Sequence, residues 1–324
     1  VELTGFSLTE VDFTLDLARQ QQPGPDDSAA DRIPDMPEHA VSRPGDLWCL
    51  GNHLLLCGDA RDPAHYDRLL QGGQVGLVFT DPPYNVPIDG HVCGLGRVRH
   101  REFAMGVGEM AAAEFSTFLT VALTNMAARC QDGAILYVCM DWRHLEELSA
   151  AGRLAELELK NLCVWNKTNG GMGSFYRSKH ELIFVFKHGA APHVNNFGLG
   201  DIGRYRTNVW DYPGISSIRG KRAEELAMHP TVKPVALVAD AIRDCSRRGD
   251  LVLDPFAGSG TTLMAAQMTG RAARLIEYDP HYCDTIIRRF QTFTGKEAVL
   301  ADSRKAFEDV AAARGLVPQG GQAA

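Results

Sequence analysis

The 324-residue sequence has no Cys-x-x-Cys pair. Its eight cysteines, Cys49, Cys57, Cys93, Cys130, Cys139, Cys163, Cys245 and Cys283, are scattered without clustered histidines, so no metal site is expected. Scattered thiols of this kind suit a reduced, cytoplasmic setting. There is no run of about eighteen apolar residues and no leader pattern, so neither membrane insertion nor secretion finds support. No internal repeat is visible. Net positive charge is also missing: the formal balance is −7, which excludes a uniformly basic surface for a polyanion. The basic charge is local instead. Arg97, Arg99, His100 and Arg101 form one knot, and Arg204, Arg206, Arg219, Lys221 and Arg222 lie in a second stretch. Either stretch alone reads more readily as a solvated loop than as a DNA contact, and its placement beside the motifs below reverses that order.

With 45% hydrophobic and 23% charged residues, the chain suits one large α/β domain or a domain with a small appendage. Residues 1–20 place apolar side chains in a pattern that fits a helix and a strand equally. Residues 20–44 turn to Pro, Asp, Ser and Gln, so residues 1–44 read as an arm or linker and the compact domain, 45–324, starts near Gly45. Strand and helix patterns then alternate, as in an open parallel sheet covered on both faces. Leu54–Cys57, Val75–Thr80, Ala134–Met140, Leu159–Trp165, Glu181–Lys187, Leu251–Asp254 and Ala272–Glu277 read as strands. Ala113–Cys130, Pro234 to about Arg247, Ser259–Thr269 and a last stretch after Pro280 read as helices. Residues 85–112, rich in Gly and Arg, read as a mobile loop. Residues 189–228 break the rhythm and suit an inserted surface-reading segment, in which Asn195, Asn196, Tyr205 and the second basic stretch are the types that meet base edges and phosphates.

Two strand-to-helix turns carry the chemistry. Asp254-Pro255-Phe256-Ala257-Gly258-Ser259-Gly260-Thr261-Thr262 leaves a strand and enters a helix, where glycine permits close ligand approach and free N–H groups can meet an anion. Glu277, seventeen residues after Gly260, closes the next strand, where a carboxylate can bond both hydroxyls of a ribose. Together they describe a nucleoside site. Asp81-Pro82-Pro83-Tyr84 follows the apolar strand Val75–Thr80. There the Asp81 carboxylate and the Pro82 carbonyl can accept both N–H groups of an amino nitrogen and orient its lone pair, while Tyr84 offers a flat face to a base. A rigid Pro-Pro turn with a surface tyrosine is the plainer reading, and the presence of both turns in one chain argues against it.

These residues resemble motifs I and II and the catalytic tetrapeptide of the β-class S-adenosylmethionine-dependent DNA amino-methyltransferases, in which the tetrapeptide precedes the glycine-rich motif and the target-recognition segment lies between them. The resemblance spans roughly residues 46–295. It includes Gly58-Asp59, Ser178-Lys179-His180-Glu181 and His229-Pro230-Thr231-Val232-Lys233-Pro234. It implies a Rossmann-like methyltransferase sheet of about seven strands, circularly permuted, with an inserted recognition segment at 189–228. It implies S-adenosylmethionine as cofactor, with Asp59 on the adenine amino group, and His229, Thr231 and Lys233 at the methionine end, where Lys233 partners the carboxylate. Asp254, Phe256, Gly258, Ser259, Gly260, Thr261, Thr262, Glu277 and Tyr278 complete the cofactor set. Asp81, Pro82, Pro83 and Tyr84 are the implied catalytic residues. Double-stranded DNA is the implied partner, held by Arg97, Arg99, Arg101, Arg204, Arg206, Arg219, Lys221 and Arg222, with a homodimer as a further expectation. The arm resembles the end of the region that follows a ParB-like domain in longer phage and bacterial methylases, which implies the methylase part of a larger fusion in the bacterial cytoplasm at the nucleoid. Adenine N6 is the implied acceptor, because family members acting on cytosine N4 more often carry Ser where Asp81 stands. Methylases of RNA or protein glutamine more often carry Asn-Pro-Pro-Tyr and place the cofactor loop first. A catalytically silent DNA-binding module is the alternative of another class.

Overall fold

The computed structural model describes residues 11, 14–15, 27–86, 108–170, 175–198, 205–214 and 232–316. The strands are β1 (Leu47–Leu50), β2 (His53–Cys57), β3 (Val75–Thr80), β4 (Cys130–Met140), β5 (Glu158–Asn166), β6 (His180–Lys187), β7 (Val209–Asp211), β8 (Leu251–Asp254), β9 (Ala272–Glu277) and β10 (Ala298–Leu300). The helices are α1 (Asp27–Ala30), α2 (Pro63–Leu70), α3 (Ala112–Ala127), α4 (Leu145–Leu154), α5 (Val235–Cys245), α6 (Thr261–Thr269), α7 (Pro280–Thr294) and α8 (Phe307–Ala313). No helix among the described residues is long and apolar enough to cross a membrane.

All ten strands join one sheet in the order β10-β1-β2-β9-β8-β3-β4-β6-β5-β7. The inner strands β2, β9, β8, β3 and β4 are parallel, and their continuous apolar runs are buried on both faces. Alternation assigns the faces: Leu77 and Phe79 join the core under α5, α6, α7 and α8, while Val78 joins the core under α2, α3 and α4. The sheet exceeds the expected seven strands. The additions are short edge strands, β10 paired antiparallel with β1 and β7 alongside β5. The sequence pattern does not announce β1, β7, β10, α2, α4 or α8.

The crossovers place the site. The β8–α6–β9 connection steps to one side in the sheet and β3–α3–β4 steps to the other, so the winding reverses between β8 and β3. Ligands of open α/β sheets bind outside the carboxyl ends of the strands at such a reversal. Register pairs Val78 with Leu253 and so brings the ends of β3 and β8 side by side. The Thr80 hydroxyl then donates to Asp254 Oδ1 at 2.8 Å, joining the strand that leads into Asp81 to the start of the glycine turn.

The end of the arm packs against the compact domain. The Arg289 guanidinium, on α7, donates to the Ala30 carbonyl at 2.7 Å and 3.2 Å and to the Ser259 carbonyl at 2.8 Å. Asp284, also on α7, accepts from the backbone N–H groups of Val41 and Ser42. Ala30 and Val41 are buried. The compact unit therefore reaches back to α1, because α7 presents two charged side chains that the arm's backbone satisfies.

Candidate active site at the switch point

The glycine turn is built by its own backbone. Gly258 and Gly260 have φ of 52° and 84°, a region that penalises a Cβ, and a Cβ on Gly260 would press to 3.1 Å from Ile286. Asp254 knits the turn together. Beside the bond from Thr80, it accepts from the Thr262 hydroxyl at 2.6 Å and the Phe256 N–H at 3.1 Å. Burial pushes its carboxyl up to about 6 in spite of these donors. Phe256 packs its ring 5.7 Å from Phe118. Thr261 and Ser259 are buried at the entrance of α6, which starts at Gly260 with no side-chain cap.

Glu277 stands across this turn. One of its oxygens accepts from Gly258 N–H at 2.7 Å and the other from Asp279 N–H at 2.9 Å. Burial pushes its carboxyl up to about 8, against the pull of those two donors. Tyr278, about half exposed, follows it at the rim. The Gly58 N–H donates to the Glu277 carbonyl at 2.9 Å, which sets Asp59 on the same rim. The Asp59 carboxylate is engaged there by Arg61, with Nε–Oδ1 at 3.0 Å and Nη2–Oδ2 at 2.6 Å. Partial burial would raise Asp59, but the bonds from Arg61 hold it below the usual carboxylate range. A nucleoside fits this set: among the described residues, its two chain neighbours apart, no atom lies within 4 Å of the Cβ position at Gly258, and a buried carboxylate faces that turn.

The second turn sits at the end of β3. Pro82 is buried and Pro83 half-buried, and they fold the chain so that the Tyr84 hydroxyl returns to donate to Asp81 Oδ1 at 2.6 Å. Asp81 Oδ2 is held by the Lys233 ammonium at 2.6 Å. The resemblance places Lys233 at the cofactor carboxylate; in this structure Lys233 stands at the catalytic turn, on Asp81 and Glu181. Its side chain is 3% exposed and its ammonium also meets Glu181 Oε2 at 2.8 Å and the Tyr84 oxygen at 3.1 Å. Tyr84 lies 3.2 Å from Glu181 Oε2 as well. Lys167 pairs with the other oxygen of Glu181 and stands over the Trp165 ring. Burial raises Asp81, and the charge of Glu181 raises it further against the pull of Lys233. Glu181 is held low by Lys233 and Lys167 in spite of its burial.

Glu181 and Lys167 are absent from the expected site. The available signal is a glutamate opening an otherwise apolar strand: the β6 sequence buries every residue from Leu182 to Phe186.

The basic residues divide. Arg206 is expected on DNA, yet its Nε pairs with buried Asp244 at 2.9 Å and its guanidinium lies 4.9 Å over Trp210, so it fastens β7 to α5. Asn196, expected to read a base edge, is buried and caps the end of α5 through the carbonyls of Arg243 and Ser246. His229, Thr231, Arg97, Arg99, Arg101, Arg204, Arg219, Lys221 and Arg222 lie outside the described residues. Asn85 bonds to Gly108 and Met110 and so ties together the two described ends of the expected mobile loop. Exposed aromatics crown the same edge of the sheet. Trp142 follows β4 with Arg143 at 5.0 Å over its ring, and Phe175 and Tyr176, more than four-fifths exposed, stand between β5 and β6. Among the described residues, no group of three or more His, Cys, Asp or Glu side chains could hold a metal ion.

The profile of a DNA methylase family covering the N6 and N4 enzymes matches residues 75–288. A ParB-methyltransferase helix-turn-helix profile matches residues 1–44. The chain is 24% identical over 236 residues to the type II methyltransferase M2.MboI of Moraxella bovis, covering 69% of this chain and 83% of that protein. It is 25% identical over 246 residues to M.HinfI of Haemophilus influenzae, with 69% and 65% covered. Among solved structures, the cytosine-N4-specific PvuII DNA methyltransferase is similar at a TM-score of 0.56 and 15% identity, over 86% of this chain and 94% of that one. A putative DNA modification methylase from Thermus thermophilus gives 0.52 at 22% identity, over 76% and 97%. The complex of M1.HpyAVI with SAM gives 0.50 at 20%, over 73% and 98%. At such identities the structural likeness is one of fold.

Proposed function

The chain belongs to the DNA methylase family of N6 and N4 amino-methyltransferases, and from that premise we propose that it moves a methyl group from S-adenosylmethionine to N6 of adenine in double-stranded DNA. One observation carries this reading: the Thr80–Asp254 bond holds the Asp81 turn against the glycine turn, so an amino group gripped by one faces a nucleoside held by the other. When bound, S-adenosylmethionine supplies an electrophilic methyl group on a sulfonium. Glu277 would hold its ribose hydroxyls, with Gly258 opposite. Asp59 would serve the adenine end once Arg61 shares it.

Asp81 Oδ1 and the Pro82 carbonyl accept the two N–H groups of the target, which localises the nitrogen lone pair toward the methyl group. With the cofactor bound, the nitrogen lone pair would form the N–C bond at the expense of the C–S bond, whose electron pair would stay on sulfur, and the surplus amino proton would pass to solvent at the open rim. The target must leave the duplex to reach Asp81, and the Tyr84 ring offers it a stacking face worth about 1–3 kcal/mol. Trp142, Phe175 and Tyr176, with Arg143, Lys167 and Arg177 near them, support DNA lying across this edge of the sheet. The helix-turn-helix match supports a further DNA contact within residues 1–44. Asp81 itself supports adenine, since Ser is the more frequent residue there in N4 enzymes.

The test is incubation with labelled cofactor and DNA of mixed sequence, followed by nucleoside mass analysis. N6-methyladenine is the expected product. N4-methylcytosine would reassign the base, and no methylated nucleoside would overturn the activity.

A further inference from the structure

Lys233 is the centre of a cluster that includes Asp81 and Tyr84, yet the transfer proposed for those two assigns no part to Lys233 or Glu181. Its three N–H donors have three acceptors, Asp81 Oδ2 at 2.6 Å, Glu181 Oε2 at 2.8 Å and the Tyr84 oxygen at 3.1 Å. Its side chain is 3% exposed, and the Tyr84 and Trp165 rings lie 5.4 Å and 5.9 Å from the ammonium. All three donors are thus matched within the chain.

We propose that Lys233 and Glu181 are positioning residues of the transfer: Lys233 pins Oδ2 of an ionised Asp81 so that Oδ1 faces the base, and Glu181 anchors Lys233 and the Tyr84 hydroxyl from the mouth of β6. The proposal rests on the function proposed above.

The chemistry follows from burial. An unpaired carboxylate losing its water to an entering base takes up a proton, and a protonated Asp81 is a weaker acceptor for an amino group. Lys233 prevents that. A lysine with one partner could slide across both oxygens of Asp81 and blind Oδ1, and the second carboxylate stops it. Tyr84 occupies Oδ1 at 2.6 Å, where an amino N–H would sit, and Glu181 stands 3.2 Å from the same hydroxyl. The hydroxyl can therefore yield Oδ1 to the base without losing an acceptor.

Among the described residues, the charged and titratable groups acting on Asp81 are Lys233 before α5, Tyr84 on its own turn, Glu181 on β6, Cys139 on β4 and Asp254 on β8, with Lys167 after β5 acting on Glu181. Lys233 lowers Asp81 and Glu181 raises it, so removing them has opposite consequences.

The experiment is the pH dependence of single-turnover methyl transfer at saturating DNA and cofactor, with the cofactor Kd measured alongside. For Lys233→Met the acidic limb should move up by about one pH unit or more, with a loss of about tenfold or more at neutral pH and an unchanged cofactor Kd. For Glu181→Gln the limb should move down. Should Lys233→Met fail to fold, Lys233→Arg retains the charge and is expected to keep the limb in place while the rate falls. Limbs that stay fixed in Lys233→Met and Glu181→Gln would overturn the proposal. So would a Kd raised about tenfold in Lys233→Met, which would return the lysine to the cofactor. These outcomes require an active wild type, so they are separable from failure of the methylase reading itself.

Discussion

The sequence contains four Asp-Pro dipeptides, at Asp62, Asp81, Asp254 and Asp279, and three of them behave alike. The Asp62 carboxylate accepts from the N–H two residues on, at Ala64, at 2.9 Å, and so starts α2. Asp279 does the same with His281 at 2.9 Å and starts α7, and Asp254 with Phe256 at 3.1 Å. Asp81 cannot. The residue two on is Pro83, which has no N–H. Its carboxylate is left without the local donor and reaches instead to Tyr84 and Lys233. The same dipeptide thus caps a helix, knits a turn or turns its carboxylate to Tyr84 and Lys233, depending on one backbone hydrogen. The contrast with Asp254 is sharpest, since the two stand side by side at the switch point. Asp254 is 4% exposed and surrounded by hydroxyls, while the Asp81 side chain is 25% exposed and held by a charge.

The largest expected effect comes from erasing that difference. Pro83→Ala supplies the missing N–H, which should draw Asp81 into a local cap and slow methyl transfer by about a hundredfold. Cofactor affinity should stay constant. An ester-forming alanine analogue at position 83, which lacks the N–H, should recover much of the rate, and no recovery would mean that proline rigidity alone matters.

Asp254→Ala should act on structure instead. Three donors lose their acceptor, so thermal unfolding should report a loss of about 2 kcal/mol together with weaker cofactor binding. The folded-state pKa of Asp254, about 6, lies above its ordinary value, so its contribution is greatest at low pH and declines as pH rises through 6. The destabilisation by Ala should therefore shrink from pH 5 to pH 8.

Glu277 gives a smaller effect of the same origin. It is pushed up to about 8, so near neutrality it carries a proton that acceptance of two ribose hydroxyls must expel. Cofactor affinity should rise about tenfold between roughly pH 7 and pH 9, and Glu277→Gln should flatten that dependence in a binding titration.

Asp62→Ala, which removes a cap and a 3.9 Å contact with His65, should cost about 1 kcal/mol in thermal unfolding and leave the transfer rate unchanged. A rate defect there would show that the four dipeptides are less distinct than their partners suggest.

How much of this is legible in the sequence follows the same division between local and distant causes. β3, β8 and β9 can be read with correct bounds because a continuous apolar run ended by Thr-Asp, Asp or Glu is a local signal. The Asp62-Pro63 start of α2 is equally local, though the short helix behind it does not stand out by its apolar pattern. β7 could not be read from three residues, since it exists by pairing with β5. Both reactive turns are legible as wording. The partners of Lys233 are not, because Asp81 lies 152 positions away and only the folded sheet brings them together. Arg206 and Asn196 mislead for the same reason: a guanidinium or amide in a polar stretch looks alike whether it meets a phosphate or, as here, Asp244 and the end of α5.

The most direct measurement is methyl transfer by Asp81→Ala on DNA in a single turnover, with cofactor binding titrated on the same preparation. A gripping carboxylate predicts a rate lower by about a thousandfold with cofactor affinity intact. Full activity in that variant, or a rate loss explained entirely by weaker cofactor binding, would contradict the account.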